Sequence, residues 1–327
     1  MNSGINEPDW KAIASRLESM EALSVTRNVA LSEISRWEIG GLAELVVEPA
    51  TVDALVAVIT LCNASGWAYL VVGGTSNLLF SDDGLKAVLI RVGSGLASKC
   101  AEGTTIIAEA GCWVPGLARF SAARGLSGLE HTAGIPGTLG GLICMNGGSQ
   151  RKGIGDSIVS VKAMMPDGEI KNFAREECGF SYRDSIFLHN GAVILSAVLN
   201  LLPGDVSTIR RDMLQILKSR REKFPLKQPN CGSIFASNPA MYSEIGPPGF
   251  ALEKVGLKGF AIGGAQFSSL HANFILNNGT ASSDDVLSLI SLGWTSVLND
   301  TGFMMGCEVR YVLPSGLTIK AHEVYPQ

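Results

Sequence analysis

Between Gly125 and Gly148 the chain carries eight glycines and one proline, bounded on both sides by apolar residues. A regular element does not tolerate that density, because each interior glycine costs roughly 0.5–1 kcal/mol relative to alanine. The cluster therefore predicts positive φ angles, or backbone laid directly against a ligand. Gly134-Ile135-Pro136-Gly137-Thr138, followed by Gly140-Gly141, offers consecutive backbone N–H groups and a hydroxyl. Such a concave turn binds diphosphate oxygens. A loop that only punctuates the chain is the bland alternative, since glycines also mark simple turns.

A second glycine motif supports the ligand reading. The buried-strand pattern Ala68–Val72 runs into Gly73-Gly74-Thr75-Ser76-Asn77, and three apolar residues, Leu78–Phe80, follow. A Rossmann site would need G-x-G-x-x-G opening a helix. Here a turn at Ser81–Gly84 leads into another strand-like run, Ala87–Val92, so the loop joins strand to strand. Two phosphate-type loops of this kind predict a dinucleotide spanning two small α+β subdomains, one loop from each.

The other bounds are set by composition. A chain of 327 residues is long for one core, and two or three compact units are expected. A formal net charge of −4 without Lys/Arg blocks argues against a nucleic-acid footprint. Every apolar stretch is short or interrupted by charges such as Glu48 and Asp53, whereas a membrane span needs about 20 apolar residues. The start, Met1–Asp9, lacks the basic and apolar regions of a signal peptide, so a cytoplasmic location is expected. Seven scattered cysteines without a C-x-x-C pair read as reduced thiols. With four histidines and no H-E-x-x-H, no metal site is expected, and His189 and His322 are read as packing residues rather than catalysts.

Along the chain, an amphipathic helix is expected near Asp9–Met20. A β-α-β unit follows, with a strand at Ala43–Glu48 and a helix from a Thr51 cap through about Asn63. A second unit begins near Gly93, with a strand at Thr105–Glu109, a helix at Val114–Arg124 stopped by Gly125, the long glycine loop, and strands at Ile158–Met165 and Ala192–Leu202. A charged linker helix is expected over Asp205–Lys223, and a capped helix over Ser283–Leu298. The resulting division is an N-terminal arm over residues 1–22, subdomains over 23–92 and 93–205, and a C-terminal domain over 206–327.

Three polar constellations stand outside the glycine loops. Ser181-Tyr182-Arg183-Asp184-Ser185 places an arginine where turn chemistry does not require one. Within Lys223–Pro239, Gly232 would let the Ser233 backbone approach a ligand. Gly306–Arg310 puts Glu308 in an apolar strand. Each alone is weak, since a strand glutamate or an isolated arginine is more often a solvated surface group. Together, an arginine, a hydroxyl donor and a carboxyl group beside a cofactor could stabilise and protonate a carbanion-like intermediate.

These residues also carry a resemblance. The ordered motifs Ile39-Gly-Gly41, Gly73–Asn77, Gly128-Leu-Glu130, Gly134–Gly141, Met145-Asn146, Tyr182–Ser185, Gly232-Ser233, Gly256–Gly259, His271–Phe274 and Glu308–Arg310 resemble those of the UDP-N-acetylenolpyruvoylglucosamine reductases, the Mur B family. The likeness runs from about Asn28 to Arg310. It implies an α+β architecture: a two-subdomain FAD-binding fold of the vanillyl-alcohol-oxidase (PCMH) type, plus a C-terminal α+β substrate domain.

The implied chemistry is transfer of a hydride from NADPH through noncovalent FAD to UDP-N-acetylenolpyruvoylglucosamine, in a monomeric cytoplasmic enzyme of peptidoglycan precursor synthesis. By match, Arg183, Ser233 and Glu308 are catalytic, with Ser233 the proton donor. Gly73, Gly74, Thr75, Ser76, Asn77, Gly134, Ile135, Gly137, Thr138, Gly140, Gly141 and Asn146 would hold FAD, while Tyr182, Lys223 and Asn238 would meet the substrate. Three positions depart from the family pattern. Thr75 stands where a third glycine is usual and is expected to narrow the phosphate loop. Glu38 stands for a basic residue, and Ala236-Ser237 removes a lysine. The alternatives are a same-fold FAD oxidoreductase acting on another sugar nucleotide or secondary metabolite, and a nucleotide-binding sensor without catalysis.

Overall fold

The apolar run after the first glycine loop has no polar face, which suits a strand covered on both sides. In the computed structural model, which describes residues 8–325, this is the strand Leu85–Arg91 at the interior of a four-stranded sheet. The sheet order is Leu23–Ala30, Leu42–Pro49, Leu85–Arg91, Tyr69–Val72, and the last three strands run parallel. The crossover helix Val52–Ser65 starts where Thr51 Oγ1 accepts the Ala54 N–H at 3.1 Å. It stops at Gly66, whose φ of +66° suits glycine.

The second sheet is antiparallel throughout, in the order Ile170–Ala174, Ile158–Met164, Val193–Asn200, Thr105–Glu109, Lys99–Glu102. One continuous core joins Val47, Val88 and Ile90 of the first sheet to Ile106, Val161 and Ala197 of the second. In these two sheets three strands escape the sequence reading: Leu23–Ala30, Lys99–Glu102 and Ile170–Ala174. All are edge strands without a fully buried side chain, so burial imposes little alternation on them.

The third unit packs the helix Ser283–Thr301 over the small sheet Ala261–Ile262, Ala265–Phe267, Ile275–Asn277. Its core includes Trp37 from far upstream, whose indole Nε1 donates to the Ile275 carbonyl at 2.9 Å. The chain then returns. Arg310–Val312 pairs in parallel with Leu78–Phe80, so the C-terminal segment closes onto the strand that follows the first glycine loop.

Four sequence expectations change. The glycine-rich stretch is not loop throughout, because Leu139–Cys144 forms a helical turn and a half against the second sheet. The helix Val206–Lys223, placed by sequence in the C-terminal domain, buries Ile209 and Met213 in the core shared by the first two units. Glu308 lies in the break between the short strand Gly306–Cys307 and Arg310–Val312, not within a strand. His189 is exposed and holds Asp184 Oδ1 at 2.6 Å rather than packing. Among the described residues no helix is long and apolar enough to cross a membrane.

Candidate active site

The two glycine loops meet back to back. A Cβ built on Gly74 would lie 2.7 Å from Gly137 Cα, and one on Gly73 would collide with Thr138 Oγ1. Part of the glycine requirement is thus the approach of one loop to the other. The rest faces a cavity of about 620 Å³ lined by Gly73–Asn77 and by Ile135–Thr138 with Gly140 and Gly141. Backbone N–H groups of Gly74, Ser76, Gly137 and Gly141 donate to no described residue. That is the donor array an extended diphosphate needs.

Two of the predicted cofactor residues do other work. Gly134 does not line the cavity; a Cβ there would fall 2.6–2.7 Å from the Cδ and Nε of Arg220, so its glycine makes room for that side chain. Asn146 turns away from the cavity, accepting the Gly155 N–H at 3.0 Å and donating to the Ser181 carbonyl at 2.7 Å. Thr75 also differs from expectation. Its side chain points out of the loop to Ile34 and Arg36, so the branched side chain does not narrow the phosphate seat.

Across the cavity stand Arg183, Ser233 and Glu308. Arg183 sits at φ +58° in the tight turn closed by Ser181 and Asp184. Asn146 pins that turn through the Ser181 carbonyl, and the Ser185 hydroxyl donates to the Cys144 carbonyl at 2.7 Å. The Arg183 guanidinium reaches Glu308 from Nε, at 3.3 Å to Oε1 and 3.2 Å to Oε2. Glu308 in turn donates its N–H to the Ile234 carbonyl at 2.8 Å, beside the pairing of Phe235 with Cys307. This short antiparallel contact brings Ser233 and Glu308 to the same wall of the cavity. Burial pushes the Glu308 carboxyl above its ordinary value, and the charge and hydrogen bond of Arg183 recover only part of that shift.

None of the three proposed substrate residues lines the cavity. Tyr182 is exposed, with its ring 5.5 Å from the Arg183 guanidinium and its hydroxyl accepting the Ser237 N–H at 3.4 Å. Asn238 caps the helix Pro239–Glu244 and donates to the Met304 carbonyl at 3.1 Å. Lys223 ends its helix on an exposed turn, next to the cavity-lining Phe224. Arg220, Arg310, Phe224 and Phe274 also line the cavity and were missed. Arg220 stacks 4.9 Å over Phe224, yet in sequence it is indistinguishable from the surface arginines around it. With Arg183, Arg220 and Arg310 against Glu308, the charged wall favours anions, in a chain that is itself net negative.

Two glycine loops from two α+β units, meeting over one cavity that also holds Arg183, Ser233 and Glu308, form a site for a dinucleotide cofactor, and the match to the FAD binding domain makes the chain an FAD-dependent oxidoreductase. Residues 43–174 match the family model of the FAD binding domain, and 224–312 that of the UDP-N-acetylenolpyruvoylglucosamine reductase C-terminal domain. The chain belongs to the UDP-N-acetylenolpyruvoylglucosamine reductase family. It is 43% identical to UDP-N-acetylenolpyruvoylglucosamine reductase 1 of Corynebacterium glutamicum over 97% of this chain and 96% of that one. It is 38% identical to the reductase of Heliobacterium modesticaldum over 88% of this chain and 90% of that one. The crystal structure of the enzyme from Thermus caldophilus superposes with a TM-score of 0.75 at 29% identity, covering 88% of this chain and 99% of that one. The fold is therefore the PCMH-type FAD domain joined to the family's C-terminal domain.

Proposed function

We propose that this protein reduces the enolpyruvyl ether of UDP-N-acetylenolpyruvoylglucosamine to UDP-N-acetylmuramate, with NADPH as reductant, as a cytoplasmic monomer in peptidoglycan precursor synthesis. Gly73–Asn77 and Ile135–Thr138 with Gly140 and Gly141 would hold FAD noncovalently, and the flavin would supply two-electron transfer between NADPH and C3 of the ether. The protein's own part is electrostatic and protic. Negative charge developing toward the substrate carboxylate is stabilised by the Arg183 guanidinium and by Glu308 held as a neutral hydrogen-bond donor. The Ser233 hydroxyl supplies the proton that C2 needs to complete the saturated product. Tyr182, Lys223 and Asn238, which match the family's substrate residues but lie outside the cavity lining, would meet the diphosphate and its neighbours.

The observation that carries this reading is the convergence of Arg183, Ser233 and Glu308 on the cavity lined by both glycine loops. Replacing Ser233 with alanine tests it. Flavin reduction by NADPH should survive, while oxidation of the reduced flavin by the enolpyruvyl substrate slows by about 10²-fold or more. Equal loss in both steps would make Ser233 structural. Oxidation by a sugar nucleotide lacking the enolpyruvyl group would point instead to another substrate.

A further inference from the structure

Thr75 adopts φ +51° although its side chain is β-branched, and it is only 4% exposed. A branched residue in the left-handed region is strained, and the conformation persists where the surroundings over-determine it. Here the surroundings come from three parts of the chain. The Thr75 hydroxyl donates to the Ile34 carbonyl at 3.1 Å and accepts the Arg36 N–H at 3.2 Å. Its carbonyl accepts the Leu78 N–H at 3.2 Å and lies 3.5 Å from the Cys231 thiol, which also approaches the Leu78 carbonyl at 3.2 Å.

Each contact leads somewhere. The segment 34–36 continues into Trp37, which is fully buried in the C-terminal core and whose carbonyl accepts the Asn277 side-chain amide at 2.9 Å. Cys231 is buried and precedes Gly232, a hinge at φ +82° with no atom within 4 Å of a built Cβ, and then Ser233. Thr75 therefore stands where the first cofactor loop, the anchor of the C-terminal domain and the segment bearing Ser233 touch.

We propose that Thr75 is a positioning residue: its hydroxyl, held by Ile34 and Arg36, fixes the left-handed backbone whose carbonyl accepts the Cys231 thiol, and so sets the placement of the Ser233 hydroxyl against the bound ring system. This rests on the role given to Ser233 above. Relaxing the joint leaves the cofactor loop's own N–H groups in place, so it acts on the proton-delivering step rather than on flavin binding.

The test compares Thr75→Val, which keeps the branched shape and loses the hydroxyl, with Thr75→Ser, which keeps the hydroxyl, in the FAD-loaded full chain. In Thr75→Val, backbone hydrogen exchange over residues 230–236 should quicken about tenfold. Oxidation of reduced flavin by the enolpyruvyl substrate should slow about tenfold, a modest share of what misplacement by an ångström can cost. FAD content and flavin reduction by NADPH should stay within about twofold of the parent, and Thr75→Ser should restore both altered readouts. The proposal is overturned if exchange is unchanged in Thr75→Val, if Thr75→Ser falls as far, or if both half-reactions and flavin content drop together. If the parent itself fails to turn over the enolpyruvyl substrate, the functional reading fails, while the exchange comparison still decides the joint.

Discussion

His131 offers a stability test that can be worked from the structure. It is 3% exposed, and its Nδ1 accepts the Ser149 N–H at 3.4 Å, which leaves the proton on Nε2 without a partner among the described residues. Burial, helped by the charge of Lys152, lowers its pKa from 6.5 to about 4. The unfolded chain thus binds a proton that the native chain refuses. Stability must fall as the solution is acidified from the unfolded value toward the native one. Linkage between those two values removes about 2 kcal/mol on going from about pH 7 to about pH 5.

The variant His131→Asn keeps an acceptor near the Nδ1 position and does not titrate. It should start less stable, having lost buried volume, but should lose about 2 kcal/mol less on acidification. Urea unfolding of both proteins at the two pH values, in excess FAD, measures the difference, and the depressed histidines His271 and His322 cancel because both chains carry them. Parallel acid losses, within about 0.5 kcal/mol, would refute a neutral buried His131. The consequence reaches the site, because the Ser149 hydroxyl donates to the His131 carbonyl at 2.5 Å and the neighbouring Gly148 carbonyl receives the Arg183 guanidinium at 3.4 Å.

Other outcomes follow from the same geometry. Gly74→Ala would set a methyl 2.7 Å from Gly137 Cα, so the purified variant should be folded by circular dichroism yet colourless; full flavin content would show that the loops can part. Glu308→Gln keeps a donor and should retain more of the flavin-to-substrate rate than Glu308→Ala. The raised Glu308 pKa means that the parent's oxidative step should decline as pH rises through it, while the glutamine variant stays flat in stopped-flow profiles. By the same sign, Glu308 is deprotonated first in the unfolded chain, so its contribution to stability falls with rising pH, a slope absent in Glu308→Gln. Asn146→Ala frees the turn that carries Arg183 and should slow substrate reduction about tenfold with NADPH reduction of the flavin preserved; equal loss in both would assign Asn146 to the cofactor seat.

The local signals in the sequence were the ones that depend on few neighbours. Glycine density exposed both loops, and Thr51 and the acidic first turn of Asp284 and Asp285 announced their helices because a cap acts within three residues. The site side chains were only weakly marked by their local pattern, and the roles proposed for Arg183, Ser233 and Glu308 came from the family resemblance.

What only the tertiary structure decided was company and direction. Arg183 and Glu308 are 125 residues apart and meet because the chain returns to pair with the strand after the first loop. Gly134 and Asn146 look like cofactor residues in a line of sequence, yet one makes space for Arg220 and the other braces a turn. Thr75 reads as an intrusion into a phosphate loop until its left-handed backbone turns the side chain toward Ile34 and Arg36. A residue's neighbours along the chain determine its backbone options, but which way its side chain points, and what electric field it feels there, depends on segments the local pattern does not encode.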